Sequence, residues 1–224
     1  MKTFKQLKVG QYNFHGFDVI ISKGITSEID IKKVFFEFSK IIPHFYFNNL
    51  DAIYIGDFKP LRDRNINAMY ENGVFYISNT QDNGQDLLDD LIHETAHLVE
   101  DQLNNDIYGD DNIEREFISK RKKLFEMIES ETGEITELSY NNFLNIHFDR
   151  QFDDYLFNII TYPVLASLTV NIFYSPYAST SIREYYANGF EAYYHKKDFN
   201  RLKNISPMLY YKIVQMEKIY ETKY

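Results

Sequence analysis

Cysteine and tryptophan are both missing from the 224 residues. The first absence rules out a disulfide framework and any metal held by thiolate. Basic residues are in the minority, with 24 Lys and Arg against 33 Asp and Glu and a formal charge of −9. Nucleic-acid binding calls for a concentrated basic face. The strongest basic run, Lys120-Arg121-Lys122-Lys123, is short and ringed by Glu114, Glu116, Glu126 and Glu129. It reads as a solvated helix face, and nucleic acid is not an expected partner.

Long apolar runs are scarce as well. Residues 1–10 hold lysines but no stretch of signal-peptide type, so the chain is expected to stay in the cytoplasm unless another route exports it. Residues 155–174 carry no charge, yet Asn158, Thr161, Tyr162, Pro163, Ser167, Thr169 and Asn171 dilute them. Polar groups are costly at the centre of a bilayer, so the stretch reads as a buried helix-turn-strand segment and no membrane partner is expected.

What the chain does have is aromatic bulk, 19 Tyr and 19 Phe. Much of it must be core, since exposing it would create adhesive patches. With no internal repeat or low-complexity linker, residues 1–224 read as a single domain with one sizeable core.

The order of elements is mixed first and helical later. Residues 12–22 read as a strand pair around Gly16. Ser27 and Asp30 resemble a helix start, followed by an apolar stripe over residues 29–42 that Pro43 ends. Residues 51–56 form a short strand, and Asn72-Gly73 between residues 68–70 and 74–78 is a strong hairpin signal. From Asp86 the period changes, with Leu88, Leu91, Ile92, Thr95, Leu98, Val99 and Gln102 at helical spacing. Further helices are expected over residues 113–130, 140–160 and 181–195, and a last one opens at Ser206-Pro207. The class is α+β: a small twisted N-terminal sheet and a mostly helical C-terminal half.

The chemistry concentrates in His93-Glu94-Thr95-Ala96-His97. Four residues apart on a helix, His93 and His97 project from one face, where two imidazoles can share one tetrahedral zinc ion. Glu94 is rotated by about a quarter turn, where a carboxylate can act on metal-activated water without ligating the metal. The strand at residues 74–78 lies just upstream, and an edge strand beside such a helix is where a peptide substrate can pair.

A third ligand is needed. The metzincin pattern asks for Gly at position 100 and His at 103, where this chain has Glu100 and Leu103, so that class is excluded. Glu116 lies near the distance of a thermolysin-like ligand but within a highly charged helix. The other candidate is Glu184 in Tyr177-Ala-Ser-Thr-Ser-Ile-Arg-Glu184-Tyr-Tyr-Ala. Here the sequence resembles the gluzincins of the anthrax lethal factor catalytic domain and the Pro-Pro endopeptidases, in which Tyr precedes a ligand Glu-aromatic-aromatic-Ala by seven residues. The resemblance covers about residues 69–97 and 177–195. It implies a zincin-like fold and zinc endopeptidase activity on a peptide or protein substrate. It also implies zinc held by His93, His97 and Glu184, Glu94 as general base, and Tyr177 as donor to the developing oxyanion.

Two departures stand out. Asn188 occupies a position where the family has an acidic residue, leaving Asp153 or Glu191 as alternatives for orienting a ligand histidine. The interval from His97 to Glu184 is longer than in the relatives, so residues 110–175 read as a helical insertion. Ser181-Ile-Arg-Glu184 is also a capping box, which gives Glu184 an alternative role. His15, His44 and His147 read as structural or surface residues, and His195 as a reserve ligand. The competing functions are a zincin-fold binding or regulatory protein without activity, and a zinc-free helical interaction domain. Oligomeric state and substrate sequence are not legible.

Overall fold

A computed structural model describes residues 7–25, 28–132 and 140–221 of the chain, with the side chain of residue 132 left aside. Contacts divide it into two compact units, Met1–Gln102 and Leu103–Tyr224.

The first unit is built on a five-stranded mixed sheet in the order β1-β2-β3-β5-β4. Strands β1 (Gly10–Phe14) and β2 (Phe17–Ile21) form the expected hairpin. Its turn residues His15 and Gly16 both have positive φ, 54° and 95°, as a two-residue hairpin turn requires. Strands β3 (Ala52–Gly56) and β5 (Val74–Ser78) continue the sheet in parallel with β2, and β4 (Ala68–Glu71) closes it antiparallel to β5. The Asn72-Gly73 hairpin is present, with φ of 48° and 80°. Strand β5 is not the edge expected from the sequence: it pairs with β3 and β4, and β4 is the outer strand. A hairpin signal gives the pairing of two strands but not which of them finds a third neighbour.

Register explains where the core lies. Val19, Ile53 and Phe75 stand opposite one another, as do Ile21, Ile55 and Ile77, and all six are buried. Alternation puts them on one face. Each such side chain contributes roughly 1.5–3 kcal/mol when fully buried. Helix α1 (Ile31–Ile41) starts at Asp30, whose carboxylate accepts from the Lys33 N–H. Ser27 falls outside the described residues. The buried stripe of α1 brings Phe35 and Phe38 against Phe14, Phe17 and Phe47. A short helix α2 (Lys59–Arg64) was not expected from the periodicity.

Helix α3 (Gly84–Tyr108) is longer than its apolar pattern and leaves helical geometry at Leu103, φ −121° and ψ 24°. Its start abuts α1, since a Cβ on Gly84 would lie 3.3 Å from Val34. Further along, Tyr70 of β4 donates to Asp101 at 2.8 Å.

The second unit is helical: α4 (Asn112–Thr132), α5 (Tyr140–Leu144), α6 (Arg150–Asp154), α7 (Tyr162–Thr169), α8 (Ile182–Tyr194), α9 (Phe199–Ile205) and α10 (Pro207–Glu221). The single helix expected over residues 140–160 is broken after α5. Carbonyls of Asn142 and Phe143 accept from the Arg121 guanidinium, and Asp149 starts α6 by accepting from Gln151 and Phe152 N–H. The strand expected in residues 155–174 is absent among the described residues. A π-helical turn spans Tyr155–Ile159 and α7 follows. Pro163 sits in the first turn of α7, where its fixed φ favours a helix. The stretch is not fully buried either, with Ile159, Tyr162, Val164 and Val170 exposed. No helix among the described residues is long and apolar enough to cross a membrane.

Close packing of α8 on α10 makes one further position sensitive. A Cβ on Gly189 would stand 2.3 Å from Leu209 Cδ2 and 2.7 Å from its Cγ. We expect Gly189→Ala to cost about 1–3 kcal/mol through overpacking. A urea midpoint equal to that of the wild type would contradict this.

Candidate functional site

The site begins with an oddity of α3. Between residues 91 and 100 every side chain except the half-buried His93 is buried. Four of the buried ones are polar: Glu94, Thr95, His97 and Glu100. An amphipathic helix would turn such groups to water, because burying them without partners is costly. Thr95 is accounted for, its hydroxyl donating to the Leu91 carbonyl at 2.7 Å. His97 stands between two partners on the same helix, His93 and Glu100.

His93 and His97 meet through their Nε2 atoms at 3.2 Å, with the rings tilted at 80°. The other ring nitrogen of His97, Nδ1, faces the Glu100 carboxylate at 3.5 Å. A negative charge beside Nδ1 favours a proton there, which leaves Nε2 as the donor atom for a metal. Glu100 was read from the sequence only as the residue that breaks the metzincin pattern. For a residue that orients a ligand histidine, the sequence offers Asn188, Asp153 and Glu191 instead. The available signal was its place three residues beyond His97 on the same helix.

Asp90 was missed in the same way. It lies three residues before His93 and accepts from the Gln81 side chain at 2.9 Å. Burial pushes its carboxyl up to about 7, reinforced by Glu94 and Asp86 and opposed by the Gln81 hydrogen bond and by His93. A folded-state pKa above the unfolded value near 3.8 stabilises the fold fully below pH 4. That contribution is lost as pH rises through about 7. In metal-free protein, Asp90→Asn is therefore expected to match the wild type near pH 4 and to exceed it by about 2–4 kcal/mol at pH 8. Urea unfolding at the two pH values checks this; an equal difference at both would contradict it.

In the second unit, Tyr177 opens the short turn Tyr177–Ser179 and is 39% exposed. Its ring lies 6.4 Å from that of Phe157. Glu184 is half-buried in the first turn of α8. The Ser181 hydroxyl accepts from the Glu184 backbone N–H at 3.2 Å. That half of the capping box uses the backbone of residue 184, not its carboxylate. Asp153 lies near enough to Glu184 for their charges to repel. Burial first, then Asp154 and Glu184, raise its carboxyl. Asn188 donates to the Glu184 carbonyl at 2.9 Å and accepts from the Ser175 hydroxyl. It thus ties α8 to the start of the Tyr177 turn. Glu191 pairs with Lys196 at 3.5 Å.

Glu116, the other candidate ligand, has structural partners. It accepts from the Tyr185 hydroxyl at 2.7 Å and from the Met208 and Leu209 N–H groups at 3.0 and 3.1 Å. Those amides open α10, where orphan N–H groups and the helix dipole favour a carboxylate. Of the remaining histidines, His15 lies in the first hairpin turn, His44 begins a single turn at His44–Phe47, His147 is exposed and His195 closes α8.

The basic run departs most from expectation. Lys120 and Arg121 are buried. Lys120 donates to the carbonyls of Ile172 and Ile205, and burial draws its pKa down to about 8. Burial lowers Arg121 to about 9, so it remains charged at neutral pH. Both fall on the stripe of Ile113, Phe117, Leu124 and Ile128 at helical spacing, and that stripe is buried. No family model, curated protein or solved structure matches the chain.

Proposed function

We propose that the chain is a zincin-like metalloendopeptidase of gluzincin type, with zinc held by His93, His97 and Glu184 and with Glu94 as general base. The observation that carries this reading is the 3.2 Å between the two Nε2 atoms. Nitrogens about 2.0–2.1 Å from one tetrahedral ion stand about 3.3 Å apart, so the pair is spaced as zinc would need it. In support, Glu184 stands in the segment from Tyr177 to Ala187 that resembles the gluzincin ligand motif. Two imidazoles and a carboxylate form a three-ligand catalytic donor set, which keeps a fourth position for water or substrate.

Bound there, zinc would polarise the scissile carbonyl and bring the pKa of water towards about 7. Glu94 takes the proton from that water and delivers it to the leaving amine. Its side chain is buried, on the same helix as the two histidines. The Glu100 carboxylate, 3.5 Å from His97 Nδ1, favours the tautomer that a metal needs. Tyr177 donates its phenol hydrogen to the oxygen on which charge develops. An extended peptide has the outer strand β4 available for pairing. Residues 1–224 are one peptidase domain in this reading.

The test is zinc content together with cleavage of a peptide library, before and after chelation. The reading expects one zinc per chain and cleavage that chelation abolishes and zinc restores. Stoichiometric zinc without cleavage would leave a zincin-fold binding protein. Neither zinc nor cleavage would leave a helical interaction domain.

A further inference from the structure

A guanidinium with no carboxylate on it is an expensive thing to bury. Arg121 is 1% exposed, and its hydrogen bonds all run to backbone carbonyls. Nε donates to Phe143, one terminal nitrogen to Asn142 and Asn145, and the other to Ser179 and Thr180. Four of these bonds measure 2.9–3.2 Å. The five N–H groups of an arginine are thereby all used. The flat of the group lies over the Phe152 ring, 3.8 Å from its centroid. Such a group is satisfied in one geometry only, so it dictates where the five carbonyls must be.

The carbonyls belong to two segments. Three end α5 and start the loop after it. The other two, Ser179 and Thr180, lie between Tyr177 and the Ser181 cap of α8. The same turn is fastened at other points: the Thr180 hydroxyl donates to the Tyr177 carbonyl at 2.9 Å, and Ser175 is tied to Asn188. With one residue between the anchored Ser179 and Tyr177, the tyrosine cannot shift independently. Helix α8 has its own anchors, in the Ser181 cap and in the Ile182 N–H, which donates to the Ile146 carbonyl at 2.8 Å.

We infer that Arg121 is a positioning residue: through the Ser179 and Thr180 carbonyls it fixes the turn that presents Tyr177. The inference rests on the peptidase reading above. Lysine has the charge but not the five-pronged fork, so Arg121→Lys should loosen the turn while keeping the cation. Thr180→Val loosens the same turn without touching the buried charge.

The experiment measures peptide turnover, zinc content and melting temperature for the wild type, Arg121→Lys, Thr180→Val, Tyr177→Phe and the two doubles with Tyr177→Phe. Arg121→Lys is expected to keep zinc within about twofold, to lower kcat at least about tenfold and to move KM less than about threefold. Thr180→Val should show the same pattern more weakly. In the Tyr177→Phe background neither should lower kcat further, because the group they position is gone. Losses that multiply in the doubles, or folded variants with wild-type kcat, would overturn the inference while the peptidase reading stands. A wild type that cleaves nothing would instead remove the peptidase reading, and the positioning role with it.

Discussion

Glu94→Gln is expected to leave zinc bound and to lower turnover at least about a hundredfold. The substitution keeps the shape of a buried side chain and removes only its ability to take a proton. No ligand is touched, so one zinc per chain should remain. KM should change little, since the interaction lost belongs to the transition state. Replacing a buried carboxylate by a neutral amide also removes a desolvation cost, so the melting temperature should be equal or higher. Side-by-side zinc analysis and library cleavage decide the matter. A variant that turns over within a few-fold of the wild type would take Glu94 out of its role, whatever the metal does.

Glu184→Ala is expected to weaken zinc binding by more than about a hundredfold. Loss of a partner behind a ligand alone costs 10–100-fold, and removal of a ligand should exceed it. The contact with Ser181 runs through the backbone of residue 184, so α8 should keep its cap and the protein its fold. Glu116→Ala provides the contrast. It should retain zinc but lose stability, because the Tyr185 hydroxyl and the opening amides of α10 lose their acceptor. Each buried donor left unpaired costs about 1–3 kcal/mol. The reverse pattern, with zinc lost at residue 116 and kept at 184, would move the third ligand to α4.

The sequence disclosed features that depend on near neighbours. Both hairpins follow from turn residues able to adopt positive φ, and α3 from a helical apolar period. The His93–His97 pairing needs only the 3.6-residue turn. Features that depend on distant chain segments were hidden. Four basic residues in a row resemble a solvated face, although Phe117, Leu124 and Ile128 already placed Arg121 on the apolar stripe. Its carbonyl partners, in residues 142–145 and 179–180, could not be foreseen, because backbone acceptors carry no sequence signature. For the same reason the break after α5 was invisible: nothing local says that another helix will take over its last carbonyls. Glu116 looked solvated because the amides it caps lie far along the chain. Glu100 and Asp90 are different. Both sit within one turn of the histidines, and asking which carboxylates share that face would have found them.

The central claim is that one divalent ion is held by His93, His97 and Glu184. Anomalous diffraction collected on either side of the zinc absorption edge tests it most directly. The account predicts a single zinc peak about 2.0–2.2 Å from Nε2 of both histidines and from the Glu184 carboxylate. A zinc peak elsewhere, or crystals grown with zinc that show none between His93 and His97, would contradict it.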